Sequence, residues 1–548
     1  MNDDWKSRST RGTKSGQMGP AGTEPAGTKM NTFRPNRRHL MLAGAAAMVG
    51  HAGLLGLPAR ALAAGPKRGG RLRLGVAGSS TTDKLDPRAI TSSMVGAMIG
   101  QLRNGLMELD AASNLIGELA ESWEATRPGA DQWRLKLRKG VEFHNGKSFG
   151  VADAIYSIQL HLVEEAKSPL KSVLGAISDL KDGGDNELII TLKSGNADFP
   201  VLLSDPRLQM VADGDTDFES GNGTGGYILE TWEPGVRAFA KRNPNYWKAD
   251  HANFDEVETI AIEDIAARTT ALMRGDIDVM NRVERSTASR LVAVPNVSVV
   301  VQNGYKHYTL PMRADTAPFN DNNVRLAIKH AVDRQEILDK ILFGYGSIGN
   351  DHPISKSNRY IATPEELPQH EYDPDKARFY LKKSGLDSLD IVLNTSDVAF
   401  DGAVDAAQLF QASAKACGLS IDVKRHPSDG YWSNIWRNKG WVMSYWSGRP
   451  TEDWQFTEGY LSTASYNDAF WKDERFDKML IEARVELDEE KRRAMYVEMQ
   501  RIVSTEGGQV IPVFAADLLA ASDKLAHGDV AANWDMDGYK LADRWWFA

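Results

Sequence analysis

The sequence predicts an α/β protein built as two or three lobes rather than around one core. Alternating apolar stretches read as strands, periods of three and four read as helices between them, and the strand–helix–strand spacing at 389–424 implies a βαβ crossover with parallel pairing. Roughly 485 residues follow Ala63, more than one hydrophobic core supports, and clefts form where lobes meet.

Arg71–Val76 alternates and reads as the first strand, left by the polar loop Ser79–Thr82. Gln132–Leu137 and Glu187–Leu192 repeat the strand pattern, and between them Val151–Glu165 sets Ala154, Ile155, Ile158 and Leu162 on one helical face. Two consecutive helices are expected around Asp333. Asp373-Pro374 supplies a cap and a first-turn proline and Gly385 follows the last turn, which marks a short helix. Then come a strand (Leu389–Leu393), a helix ended by Gly418 (Val404–Cys417), and strands at Ile421–Lys424 and Trp441–Trp446. Helices are expected over Phe476–Arg484 and Glu489–Val503, with Gln509–Phe514 as a final buried strand.

Residues 34–63 predict the compartment. The pair Arg37-Arg38, a weakly apolar Ala/Gly/Leu run and Ala61-Leu62-Ala63 are the three parts of a twin-arginine export signal. Gly44, Gly50, His51, Gly53 and Gly56 make that run too polar for a firm membrane anchor. The mature chain is therefore expected to begin near Ala64 and to work in the periplasm of a Gram-negative bacterium, where ATP and NAD are not supplied. Residues 1–33 have no apolar period and read as disordered or as a mis-called start ahead of Met30. No cysteine stands at the cleavage point to carry a lipid, and the single Cys417 reads as a buried thiol.

Residues 1–63 carry nine Lys/Arg and three Asp/Glu, so without them the formal charge goes from −9 to −15. A chain this acidic is a poor partner for nucleic acid or an anionic membrane. Gly221-x-Gly223-x-x-Gly226 matches a dinucleotide pattern, but Tyr227–Trp232 alternates like a strand and offers no helix N-terminus for a pyrophosphate. Gly146-x-Ser148-x-Gly150 matches a nucleophile elbow without the apolar strand that should precede it, and Ser148 is expected near the cap of the Val151 helix instead. The histidines are scattered, so neither metal nor cofactor is called for.

Trp432, Trp436, Trp441, Trp446, Trp454 and Trp471 fall close together, interleaved with Tyr431, Tyr445, Tyr460 and Tyr466. Some must be core, but the group is dense for one small lobe, and rigid aromatic faces suit a cleft that holds an organic solute. Leu85-Asp86-Pro87, Leu119–Trp123, Leu137–Lys147 with Ala152-Asp153-Ala154, Gly223–Tyr227, Arg242–Trp247, Gly275–Asp278, Pro318-Phe319-Asn320 and Asp333-Arg334 follow one another in an order specific to one group. In them the chain resembles the extracellular solute-binding proteins, family 5, of dipeptide, oligopeptide and nickel ABC importers.

The resemblance implies a two-lobed periplasmic-binding-protein fold of type II, cluster C-like, with an extra subdomain in the first lobe. On this expectation residues 66–303 form lobe I with the subdomain at about 99–220, residues 304–507 form lobe II, and 508–548 return to lobe I. Hinge crossings are placed near Val301–Tyr305 and Glu506–Gly508. It further implies a monomer that passes a small-molecule or peptide ligand to an inner-membrane ABC permease without transforming it. Peptide binders of this family carry Trp-x-Ala-Asp-Tyr where this chain has Trp446-Ser447-Gly448-Arg449, so Arg449 replaces an ammonium-pairing aspartate. Either Arg449 grips a carboxylate or phosphate, or it turns to Glu452 or Asp453. The first case favours an anionic amino-acid conjugate, an opine or a modified peptide over a standard dipeptide.

With Arg449, the expected wall comprises Trp446, Asp453, Trp454 and Tyr445, the loop residues Thr81, Thr82, Asn222, Gly223 and Thr224, and Tyr308 and Arg313 past the first hinge. Nickel or haem capture through His307 or His426, a periplasmic peptide hydrolase or chaperone, and a sensor partner are the rival readings.

Overall fold

The computed structural model describes residues 66–548 except 89 and 167. Residues 1–33 and residues 34–63, expected to be an export signal, lie outside the described residues. The remainder is mixed α/β in two lobes, the first carrying an inserted subdomain, and each part is organised on its own sheet.

The first lobe holds a seven-stranded sheet in the order Val297–Gln302, Asp517–Ser522, Val279–Met280, Arg71–Val76, Glu256–Ala261, Arg237–Arg242, Tyr227–Glu233. Arg71–Val76 lies at its centre, parallel to both neighbours, and its alternation buries Leu72, Leu74 and Val76. Helix Ser93–Leu102 is buried along its whole length, capped by the Ser92 hydroxyl accepting from Val95 N. The inserted subdomain is a four-stranded antiparallel sheet, Ala120–Ala125, Gln132–Leu137, Glu187–Leu192, Ile177–Asp182, with a separate core around Trp133, Leu135, Phe143, Ile158 and Leu188. The helix beside it is Val151–Leu160, shorter than expected. Gly150 is its cap residue, with Gly150 N donating to Asp153 Oδ2 at 2.8 Å. Ser148 sits instead in an isolated bridge to Glu142, which corrects its expected capping place.

The second lobe holds an antiparallel sheet, Gly346–Ile348, Gln509–Ala515, His307–Pro311, Ser444–Trp446. Beside it, strands Leu389–Thr395 and Leu419–Arg425 pair in parallel from Leu389↔Leu419 to Thr395↔Arg425, joined by helix Ala403–Ala414. The βαβ unit is therefore present. Cys417 is fully buried at the end of that crossover, and burial pushes its thiol up to about 11. Trp441 and Val442, expected to begin a strand, make only isolated bridges to Met312 and Asn394.

The chain passes between the lobes twice. The first passage lies between Gln302 and His307, and the second lies at Ala516, between strands of different sheets. The expectation at Glu506–Gly508 is corrected: Gln509–Ala515 belongs to the second lobe, and three further strands follow it. Gly507 and Gly508 serve packing. The Gly507 carbonyl accepts from Lys329 Nζ at 2.9 Å, and a Cβ at Gly508 would stand 2.8 Å from Met312 O. Lys329 is wholly buried and also donates to Ser504 O at 2.7 Å, so one side-chain nitrogen closes the carbonyl end of helix Glu489–Glu506.

The inserted subdomain also touches the second lobe. Ala197 N donates to Arg484 O at 2.8 Å, and Asp198 pairs with Arg492 at 2.7 Å. Buried Glu452 and Asp453 lie beside this contact, Asp453 bound to Arg484 at 3.1 Å and Glu452 accepting from Tyr360 N at 2.7 Å. Three carboxyls thus face two guanidiniums, and the surplus is met by a proton: burial, with Asp198 nearby, pushes Glu452 up to about 7.

Lys329→Met leaves the Ser504 and Gly507 carbonyls buried without a donor, and a loss of about 1–3 kcal/mol is expected in urea unfolding. Glu452 holds a proton in the folded chain that the unfolded chain releases above its ordinary value, so folding stability declines as pH rises from there to about 7. Glu452→Gln removes that decline, up to about 1.4 kcal/mol per pH unit, and melting curves of both proteins between pH 5 and 7.5 measure it.

Candidate functional site

A cavity of about 1190 Å³ opens between the lobes, floored by the two passages at Gly304–Lys306 and Ala515–Leu518. Its second-lobe wall follows from strand Ser444–Trp446. Gly448, at φ +77°, lets the chain press on the hinge: a Cβ there would stand 2.2 Å from Tyr305 Cβ. Arg449 then turns into the wall. Its Nε donates to Glu458 Oε2 at 2.6 Å and its Nη1 to Gly448 O at 2.7 Å, with its guanidinium carbon 5.4 Å from the Trp454 ring and 5.8 Å from that of Trp446. Helix Glu452–Gly459 sets Trp454 and Glu458 one turn apart, and the Thr451 hydroxyl accepts from Trp454 N at 3.2 Å to begin it.

The first-lobe wall comes from the C-terminal segment. Met536, Asp537, Gly538 and Tyr539 have φ of +49°, +60°, +66° and +64°, a left-handed turn that costs about 1–2 kcal/mol for each residue with a Cβ. Asp537 holds it, its Oδ1 accepting from Ala531 N at 2.7 Å and from Arg544 at 2.9 Å, its Oδ2 from Trp545 Nε1 at 3.1 Å. Tyr539 packs where only glycine fits, since a Cβ at Gly96 would come within 2.4 Å of its ring. The turn puts Trp534, Asp535 and Tyr539 on the cavity, and Arg207 lies 5.2 Å over the Trp534 ring. Burial raises the Asp535 carboxyl, which accepts from Asn281 at 2.8 Å and Ser93 at 3.0 Å.

Of the residues expected from sequence, Arg449 and Trp454 line the cavity. Arg449 pairs with Glu458, not with Glu452 or Asp453. Asp453 points away, buried against Arg484. Trp446 is 9% exposed and packs behind the wall against Tyr466 and Arg449. Tyr445, on the opposite side of its strand, contacts Trp432 at the surface. Tyr308 stacks on Phe400 at 3.8 Å within the second core, and Arg313 lies over Phe470 and pairs with Asp315.

The first-lobe loops also stand away from the cavity. Thr82 bonds Ser80, and the backbone of Thr81 packs on Gly235. Asn222 donates to Asp215, and Thr224 is buried, donating to Asn104. Gly223 and Gly225 are small for packing: a Cβ on either would come within 2.4 Å of a carbonyl at the end of helix Ser93–Leu102, and Gly225 N is spent on Leu102 O. Trp441 and Trp471 are core, so Trp454 alone of the expected tryptophan group reaches the cavity. His307 is buried with Nδ1 on Tyr305 O and pushed down to about 4 by burial, and His426 bonds Asn394. Among the described residues no group of His, Cys, Asp or Glu is arranged to hold a metal.

Glu458 and Trp534–Tyr539 were not anticipated. Glu458 had one signal, its spacing of four from Trp454. The C-terminal turn had none beyond the run Asn533-Trp-Asp-Met-Asp-Gly-Tyr539.

The model of the bacterial extracellular solute-binding proteins, family 5 Middle, matches residues 114–468. The Glutathione-binding protein GsiB of Salmonella typhimurium is 25% identical over 474 residues, covering 82% of this chain and 90% of that protein. A Dipeptide-binding protein of Pseudomonas aeruginosa is 24% identical over 464 residues, covering 78% of this chain and 86% of that one. HbpA2 from Haemophilus parasuis superposes with a TM-score of 0.76 at 19% identity, over 86% of this chain and 99% of that chain. With two lobes around a large cavity and a family match over more than half its length, the chain belongs to the bacterial extracellular solute-binding proteins, family 5.

Proposed function

We propose that the protein captures a small peptide or an anionic amino-acid-derived solute in the interlobe cavity and delivers it, chemically unaltered, to an inner-membrane ABC permease. The observation that carries this reading is the cavity itself. Its volume of about 1190 Å³ exceeds what a single amino acid fills, and its facing walls bring Trp454 from one lobe and Trp534 from the other. Indole faces hold organic groups at low entropy cost, and charged pairs around them suit a zwitterion. Relatives whose names say that they bind glutathione and dipeptides support the same substrate class. Export by the twin-arginine route to the periplasm, and action as a monomer, complete the proposal.

A ligand shared by both lobes stabilises the closed arrangement by its differential contacts. The purified protein should therefore melt higher in the presence of glutathione or di- and tripeptides, and mass spectrometry should recover the ligand intact. Cleavage of the peptides, or an unmoved melting point across the whole set, would contradict the proposal. Trp454→Ala should weaken the best of these ligands by about tenfold or more while leaving the fold intact, measured by titration calorimetry.

A further inference from the structure

One cation on the cavity wall differs from the others. Arg207, Arg285, Lys306, Lys340 and Arg449 each stand within 4.0 Å of a carboxylate, on Asp205, Asp401, Asp517, Glu336 and Glu458 respectively. Arg282 has no carboxylate partner within that range among the described residues. It is exposed, lines the cavity, and makes a single hydrogen bond, from Nη2 to Ser93 Oγ at 3.1 Å. The neighbouring Asp535 carboxylate is occupied by neutral donors, Ser93, Asn281 and the amide of Met536.

Its position is built rather than incidental. Arg282 takes φ +51°, in the left-handed region that a side chain of this size rarely adopts. Its guanidinium lies flat against Gly78, where a Cβ would stand 2.9 Å from Nη2 and 3.0 Å from the guanidinium carbon. Ser93, at the first turn of the buried helix Ser93–Leu102, fixes one edge of the fork. The remaining N–H donors are left for a partner.

We infer that Arg282 is the receptor for the carboxylate of the solute, gripping it through two parallel N–H donors from the first lobe while the organic body meets Trp454 on the second. This rests on the proposed peptide-capturing role of the cavity. A carboxylate fits better than a phosphate because Glu284 and Asp405, neither within 4.0 Å of a cation among the described residues, also line the cavity. Those acids repel a dianion but receive the ammonium of a zwitterion.

The test is a double cycle by titration calorimetry, with glutathione and a set of dipeptides, their C-terminal amides, and the wild type against Arg282→Met. Amidation and the substitution should each weaken binding by about tenfold or more, and the two together should cost little beyond either alone. Arg282→Lys, which keeps the charge without the fork, should fall between and shows that a lost effect is not misfolding. Additive losses, or an amide penalty equal in wild type and Arg282→Met, would overturn the assignment while leaving the peptide-binding role intact. Displacement of a bound peptide by millimolar inorganic phosphate would overturn the choice of carboxylate, and binding of no peptide by the wild type would sink both readings together.

Discussion

Seven charged side chains, five of them buried and Lys248 and Arg544 half-buried, link the first lobe to its C-terminal segment and fix the first-lobe wall of the cavity. Lys248 stands 3.2 Å from Glu108, 3.0 Å from Glu118 and 3.7 Å from Asp543, Lys540 stands 2.7 Å from Glu118, and Arg544 stands 3.4 Å from Glu108 and 2.9 Å from Asp537. Burial alone would raise the Glu108 carboxyl, but Lys248, Lys540 and Arg544 outweigh it and hold it well below the usual carboxylate range. Removing one member of such a group leaves an uncompensated buried charge, at about 3–5 kcal/mol. That is the same order as the strain of the left-handed turn at Met536–Tyr539, whose Asp537 and adjoining Lys540 belong to the network.

Two short passages of chain join the second lobe to that wall. Contacts cross elsewhere as well, Asp198 to Arg492, the Ser113 hydroxyl to Tyr305, and Tyr345 packed on the first-lobe cluster of Leu272 and Leu518. A wall with fixed charges on one side of the cavity faces an indole beside a neutralised arginine on the other. Glu458 cancels Arg449, so the arginine that departs from the family's peptide-binding motif does not by itself make the cleft anionic in taste.

Much of the framework was legible because buried periods leave a trace in sequence. Arg71–Val76 alternates over a buried face, Asp373-Pro374 and Gly385 bracket a helix that runs Pro374–Lys383, and the spacing at 389–424 gave the parallel pair. The cavity was read less well, because neighbours in sequence diverge in space. Asp453 and Trp454 are consecutive on one helix, yet one pairs with Arg484 inside the lobe and the other faces the cleft. Gly223 and Gly225 look the same in sequence whether they cradle a phosphate or let two backbones touch, and the carbonyls at Gln101 and Leu102 decide it. Trp534, Asp535 and Tyr539 reach the site through a turn whose conformation is held by charges from residues 108, 118 and 544, a constraint no local pattern carries.

The central claim is that the two lobes close on a small solute and release it unchanged. Native mass spectrometry of the protein isolated from the cells that make it tests this most directly, since a closed clamp retains its cargo. The account predicts one bound species of peptide or amino-acid-conjugate mass per chain, lost on unfolding with its structure intact. A chain that carries no small solute under any growth condition, or one that releases only hydrolysed fragments, would contradict it.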